Sequence, residues 1–426
     1  MPSIKAPINY YVLLIFMTVY PFLVYPFWNI HYSTLIKLAY LIFFTVVMWA
    51  FFMLRFTKQK QLHLLFKTRG EHLVLLFLFL ICLATIFSVD PMVSLLGSMD
   101  KLNGLIAWTC YLSFFMFGYH LIPKTKQIHI IQFLVYASVL VSIYGIIQHF
   151  FLEALVEEPV EQVFVKSWAF FDNPNHFGTY LVVMLLLALS LFLLKKSNVQ
   201  LYIYAAIICV LFLALLYTGS RSGWLSFTPG VMLLTFFVVW KRRYLWKRWL
   251  LILASMFILM IVVDVTDHNM IRYQLFSIGS DVNSILLEED AETAGSGRWG
   301  IWSKSIKIVK ENYVLGTGPS TFSLVYPYEG DRNESTLDNS HNDFLEIAFS
   351  MGIPALLAYI ALLYTIIRKG FITARRLDGE QEILLYGLIA TIISYIIKTL
   401  FNISVVTIAP ILWLLFGLCY AISRKK

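Results

Sequence analysis

The sequence predicts an all-α fold: a polytopic membrane bundle of about twelve transmembrane helices, N-in and C-in, with a large outer loop between helices 9 and 10. Three observations carry this. Hydrophobic residues make up 59% of the chain and charged residues only 14%, against about a quarter charged in soluble domains; the mean hydropathy is +0.75. Apolar runs of roughly 20 residues recur, each able to cross a hydrocarbon core about 30 Å thick. The basic residues concentrate in every second connection, as retention of positive charge in the cytoplasm requires.

The runs fall at about 9–29, 34–55, 72–89, 103–122, 128–150, 175–194, 199–217, 223–240, 249–266, 342–367, 383–401 and 404–422. With the N-terminus inside, the inner segments hold Lys5, the group from Arg55 to Arg69, Lys124 and Lys126, Lys195-Lys196, the group from Lys241 to Arg248, the group from Arg368 to Arg376, and Arg424-Lys425-Lys426. Among the acids, only Glu71, Asp378, Glu380 and Glu382 share that side. The net charge of +8 therefore reports topology, and no nucleic-acid partner is needed to explain it. The first run has only Lys5 ahead of it and no small-x-small cleavage site, so it reads as a retained helix. Cys82, Cys110, Cys209 and Cys419 all fall inside apolar runs without paired spacing, which points to neither a disulfide framework nor a metal site.

One integral domain, 1–426, accounts for the chain. Three outer segments carry its polar complexity. The first, roughly 151–174, is acidic through Glu153, Glu157, Glu158 and Glu161 and leads into Asn173-Pro174-Asn175-His176. The second is the tight turn Thr218-Gly219-Ser220-Arg221-Ser222-Gly223. The third, 267–341, is the longest, and from Arg298 it interleaves Trp299, Ile301, Trp302, Ile306, Ile308 and Val309 with Lys304, Lys307 and Lys310. That pattern predicts a short amphipathic helix at the membrane interface, its tryptophans at headgroup depth, broken by Gly316-Thr317-Gly318-Pro319. An ordered functional lid is the expectation for a loop of this length.

Several residues on this outer side could carry chemistry. Arg221, in a turn barely long enough to reverse the chain, can offer a bidentate donor to phosphate oxygens, and its flanking glycines and serines free backbone N–H groups for an anion at the helix start. The alternative is an arginine snorkelling from a helix end. Arg298 follows Gly295-Ser296-Gly297, which lets its segment approach the membrane; on its own it reads as a surface arginine. Lys37 and Lys398 lie inside apolar runs, where lysines are functional candidates or snorkel to the interface. His341 can accept a proton near neutrality, as a base deprotonating a sugar hydroxyl must, or it is a polar helix start beside Asn342. Asp338, Asp343 and Glu346 match no metal-ligand spacing. His176 reads as part of a helix start, with Asx-Pro turn chemistry and an Asn cap. Together, two fixed cations and a titratable base suit a lipid-carried substrate whose leaving group is a pyrophosphate, with no cofactor, nucleotide or metal required.

At these residues the chain resembles the O-antigen ligase and O-antigen polymerase superfamily of bacterial membrane glycosyltransferases. Four segments within roughly 170–360 carry the resemblance: TGSRSGWL, with Arg221 and Leu225 as the Arg-x-x-x-Leu pattern; FFDNPNHFG; GSGRWGIWSKSIKIVKENYVLGTGPSTF; and SHNDFLEIAFSMGIP, a His-Asn, nine residues, Gly signature in His341, Asn342 and Gly352. The signature usually continues to Gly, Thr or Tyr three residues on; Ala355 departs from it. The resemblance implies transfer of a glycan from an undecaprenyl-diphosphate donor to an acceptor hydroxyl at the outer face of the bacterial plasma membrane, with inversion. It implies Arg221 and Arg298 on the diphosphate and His341 as acceptor base; Asn342, Lys398, Asn173, Asn175 and His176 are candidates for supporting roles beside them. The implied partners are the lipid-linked donor, a glycan or lipid-glycan acceptor, membrane lipids and envelope-polysaccharide assembly proteins. Polymerase, ligase and protein O-oligosaccharyltransferase activities share these motifs. Outside the superfamily, a lipid-linked glycan flippase also has about twelve spans, and a non-enzymatic envelope scaffold is a third reading.

Overall fold

The computed structural model describes residues 8–24, 30–58, 60, 65–99, 101–155, 165–287, 297–326 and 337–424, without the side chains of 30–32, 152–155 and 281–287. Lys5, the acidic run of Glu157, Glu158 and Glu161, the side chain of Glu153, Gly295-Ser296 and Lys425-Lys426 therefore lie outside what can be described. Among the described residues the chain is helical, with no strand.

Among the same residues, nine helical segments are long and apolar enough to cross a membrane: Ser33–Lys58, Arg69–Ile86, Lys124–Phe151, Pro174–Leu194, Asn198–Tyr217, Arg221–Lys241, Arg243–Thr266, Asp343–Ala374 and Glu380–Thr399. In chain order the α-helices are α1 (Ile8–Val19), α2 (Ile30–Lys58), α3 (Arg69–Ile86), α4 (Pro91–Leu96), α5 (Leu105–His120), α6 (Gln127–Leu155), α7 (Pro174–Leu194), α8 (Asn198–Tyr217), α9 (Arg221–Lys241), α10 (Trp246–Thr266), α11 (Met270–Leu287), α12 (Arg298–Glu311), α13 (Phe322–Val325), α14 (Asp343–Ala374), α15 (Glu380–Thr399) and α16 (Ala409–Ile422). The three remaining expected spans are shorter than their apolar runs. With 12, 16 and 14 residues, α1, α5 and α16 reach about 18, 24 and 21 Å at 1.5 Å per residue. In α16 the cause is visible: residues 402–408 are buried but irregular. Their backbone is satisfied from outside a helix, with Asn103 Nδ2 donating to Ser404 O (3.0 Å) and Tyr20 OH to Val406 O (2.5 Å), as irregular backbone at membrane depth requires.

Packing follows side-chain size. α5 and α16 pair closely because a Cβ on Gly118 would strike the Leu414 carbonyl and one on Gly417 the Phe115 carbonyl, the small-residue contact typical of helices in lipid. α7 sits at the centre, buried from His176 to Leu193, against α8 and α15. The basic ends gather at one end of the bundle. There Arg242 and Lys241 bind Glu382, the latter at 3.1 Å; Arg248 donates to Leu193 O and Lys195 O at 2.6 and 2.7 Å; and His120 meets Glu71 at 2.8 Å. The starts of α7, α9 and α14 and the end of α15 lie at the opposite end.

α14 is two helices joined at a break. Gly352 has φ 83° and ψ 168°, Ile353 follows, and Pro354 has no N–H to give. The freed backbone groups bond the chain after α12: Ile353 N to Tyr313 O (2.8 Å), Thr317 N to Phe349 O (2.9 Å) and Gly318 N to Ser350 O (2.8 Å). A Cβ on Gly352 would strike Val314 O, and one on Gly316 the Ser350 carbonyl carbon. The Gly-x-Gly turn is thus the piece that fills the break.

The described residues of the long segment between α10 and α14 include three helices, α11 to α13. α12 begins at Arg298 as predicted, but it rests on protein: Ile301 packs with Phe322 and Phe349, and Trp302 is turned inward while Trp299 remains 44% exposed.

Candidate functional site

The site is built around the start of α14. Asn342 caps that helix, its Oδ1 accepting from Phe344 N and Leu345 N at 3.0 and 3.1 Å. His341 stands just before it with φ 52°, a left-handed conformation uncommon outside glycine. Four contacts hold it there. Asn339 Oδ1 accepts from His341 N (2.8 Å), Glu346 Oε2 accepts from Ser340 N (2.8 Å), Trp302 Nε1 donates to Ser340 O (2.9 Å), and Ser340 Oγ donates to Asn342 O (3.0 Å). Strain held in place by its surroundings is a common mark of functional sites.

The floor is polar and buried. Asp343 N donates to Asn402 O at 3.1 Å. The Asp343 carboxyl accepts from Ser404 N and Ser404 Oγ, both at 2.9 Å, and from Tyr359 OH at 3.4 Å. Lys101 and Asp338 pair at 3.0 Å beside it. A small cavity of about 20 Å³, lined by Lys101, Asp338, Asp343, Glu346 and Ser350 among others, separates these groups. Among the described residues no group of His, Cys, Asp and Glu is arranged to hold a metal ion.

The charged residues fall into two neighbouring places. Arg298 acts electrostatically on both His341 and Lys398, and His176 lies in the field of Lys398, Lys101, Lys37 and His341. Burial, reinforced by the positive charge of Arg298, pushes the His341 imidazole from its ordinary 6.5 down to about 4, so at neutral pH the ring is uncharged and free to accept a proton. Lys398 Nζ reaches across to the start of α9, donating to Ser220 Oγ (3.0 Å) and Ser222 Oγ (2.5 Å). Arg221, between those serines, directs Nη1 to Ser277 Oγ of α11 at 3.0 Å. It lines an apolar cavity of about 370 Å³ walled by α8 to α11.

The supporting residues divide by what they touch. Asn173 caps α7, its Oδ1 accepting from Asn175 N (2.8 Å), with Pro174 at the first helical position. Asn175 Oδ1 accepts from Ser220 Oγ (2.8 Å), so the Asn-Pro-Asn segment braces the Arg221 turn. His176 is 4% exposed, and its Nδ1 has no partner among the described residues. Neither Lys37 nor Lys398 snorkels, since both are 0% exposed. Sequence reasoning missed Glu346 and Trp302 as holders of the His341 loop. A signal for Trp302 existed: it lies four residues from Arg298, on the same face of α12.

Two comparisons with known proteins place similarities on this chain. Residues 206–360 match the family model described as O-Antigen ligase (Wzy_C). The chain is 22% identical over 240 residues to the teichuronic acid biosynthesis protein TuaE of Bacillus subtilis (strain 168). That match covers 54% of this chain and 46% of the relative, so the chain spans about half the length of the protein it resembles. The matched stretch, residues 206–360, holds Arg221, Arg298 and His341, so these three residues fall where the chain is similar to the O-antigen ligase family model.

Proposed function

We propose that this protein transfers a glycan from an undecaprenyl-diphosphate carrier to an acceptor hydroxyl in surface-polysaccharide assembly, as a polymerase or ligase, with its active site on the outer face of the bacterial plasma membrane and both termini inside. The observation that carries this is the neutral, half-buried His341 in the field of Arg298 at the capped start of α14. The acceptor O–H attacks the anomeric carbon, and its proton passes to the His341 imidazole. The bond from the anomeric carbon to the diphosphate oxygen breaks, the electron pair leaving with the polyprenyl diphosphate. One in-line displacement of this kind inverts the anomeric centre.

Arg221 and Arg298 bind the diphosphate and stabilise the charge that develops on it as it leaves, the role of fixed donors aimed at a developing anion. The bound anion offsets the field of Arg298 on His341, so donor binding makes the histidine a stronger base. Neither a metal nor a nucleotide enters these steps. The named role of the relative, teichuronic acid biosynthesis, supports polysaccharide assembly as the setting. The acceptor is then a growing glycan or a lipid-glycan, and other envelope-assembly proteins are its partners.

The test is reconstitution in liposomes with a polyprenyl-diphosphate oligosaccharide and glycan acceptors. Transfer without ATP supports the reading. Movement of the donor between leaflets without transfer overturns it in favour of a flippase.

A further inference from the structure

Other buried charges in this bundle face an opposite charge. Lys37 lies in the field of Asp172, and Glu382 binds Arg242 and Lys241. Lys398 does not. It is 0% exposed, its partners are the hydroxyls of Ser220 and Ser222, and among the described residues no carboxylate pairs with it. Removing an ammonium from water without a counter-charge costs several kcal/mol.

Its surroundings make that cost larger. Ser220 caps α9, its hydroxyl accepting from Gly223 N at 3.2 Å, so the ammonium lies at the positive pole of that helix. The guanidinium of Arg298 is within electrostatic reach of it. The imidazole of His176, almost wholly buried and with an unpartnered Nδ1, lies in the field of Lys398. Cations collected at a helix N-terminus beside an unsatisfied buried ring nitrogen form an arrangement completed by an anion.

We propose that Lys398 is a positioning residue for the donor's diphosphate: through Ser220 and Ser222 it fixes the turn that presents Arg221, and its charge is compensated only when the diphosphate is bound. This rests on the donor reading above. Such a lysine destabilises the empty protein and strengthens donor binding, whereas a lysine kept for structure does the reverse. The two roles therefore differ in the sign of one measurement.

The experiment uses the full chain in lipid nanodiscs, melted with and without undecaprenyl diphosphate, with undecaprenol as the uncharged control. Wild type is expected to gain melting temperature with the diphosphate lipid and not with the alcohol. Lys398→Met is expected to melt higher than wild type when empty and to gain less on adding the diphosphate. Its Kd should be weaker by about tenfold or more, the loss expected for one charge-assisted contact. Lys398→Gln, which retains donors for the two serines but lacks the charge, should share the weakened response, and Lys398→Arg should keep the wild-type one. An empty Lys398→Met protein that melts lower and gains as much as wild type overturns the proposal. So does failure of both neutral variants to fold while Lys398→Arg folds. A wild-type protein unmoved by undecaprenyl diphosphate overturns the donor reading and this inference together.

Discussion

Gly352→Ala tests whether the break in α14 is built or incidental. At φ 83° and ψ 168° the backbone occupies a region open essentially to glycine alone, and forcing another residue there costs about 1–3 kcal/mol. The added Cβ would also meet Val314 O and the backbone around it, so the chain after α12 must move. Three hydrogen bonds cross that seam, at 2.8, 2.9 and 2.8 Å, each worth about 0.5–1.5 kcal/mol. Partial loss of these added to the strain gives roughly 3–6 kcal/mol. At about 2 °C per kcal/mol, the low end for large domains, the melting temperature should fall by roughly 6–12 °C in detergent. Gly279→Ala is the matched control. Gly279 lies in α11, where an added Cβ would find nothing within 4 Å, so the same substitution should be neutral or stabilising by up to about 1 kcal/mol. Equal effects at the two glycines, or a Gly352→Ala protein within about 1 °C of wild type, would refute the reasoning.

Further outcomes follow from the site. Because the His341 value of about 4 lies below the ordinary 6.5, the ring stays neutral until the pH falls through about 4; kcat/KM should be level from pH 8 to about 5 and fall below that. Arg298→Gln removes a charge that lowers this value, so its acid limb should move upward yet stay below 6.5, because burial is the larger cause. The kcat limb, which reports the donor complex, should lie above the kcat/KM limb. Stability carries the same sign: the unfolded chain takes up the proton first, so His341 makes the fold less stable as pH drops from about 6.5 through about 4, which melting curves across that range would record. Trp302→Phe deletes the bond to Ser340 O (2.9 Å) and should lower kcat several-fold, with KM and melting temperature little changed. Asn342→Ala should cost about 0.5–2 kcal/mol of stability through the lost cap, and Asn342→Asp, an equally good cap, should restore it.

Much of the fold was legible in hydropathy because membrane spans need long apolar runs. What hydropathy could not distinguish was centre from rim: α7 and α8 read alike, yet α7 is buried along its length while α8 is buried on part of its surface. α11 was hidden inside a long polar segment, since Met270–Leu287 mixes apolar and polar residues too evenly to read as a span. The start of α16 was over-read because Val405, Val406 and Ile408 continue the apolar run and are buried without being helical.

At the site, Asn173 and Asn342 were recognisable from cap chemistry, whereas the break at Gly352 was not, since 342–367 reads as one continuous apolar run. The pairing of Lys398 with Ser220 and Ser222 was not recognisable, since it joins positions 178 and 176 residues apart. Only folding brings Arg298, through α12, near both His341 and Lys398. The same holds for Glu346, whose role depends on a loop that curls back over its helix.

The most direct test of the central claim separates donor binding from transfer in His341→Ala. Purified wild type and variant would be compared for binding of undecaprenyl diphosphate and for turnover of a polyprenyl-diphosphate glycan onto acceptor. The account predicts near wild-type donor affinity with turnover reduced by about 10²–10⁴, the usual contribution of a general base. A variant that binds the donor and turns over at the wild-type rate would contradict it.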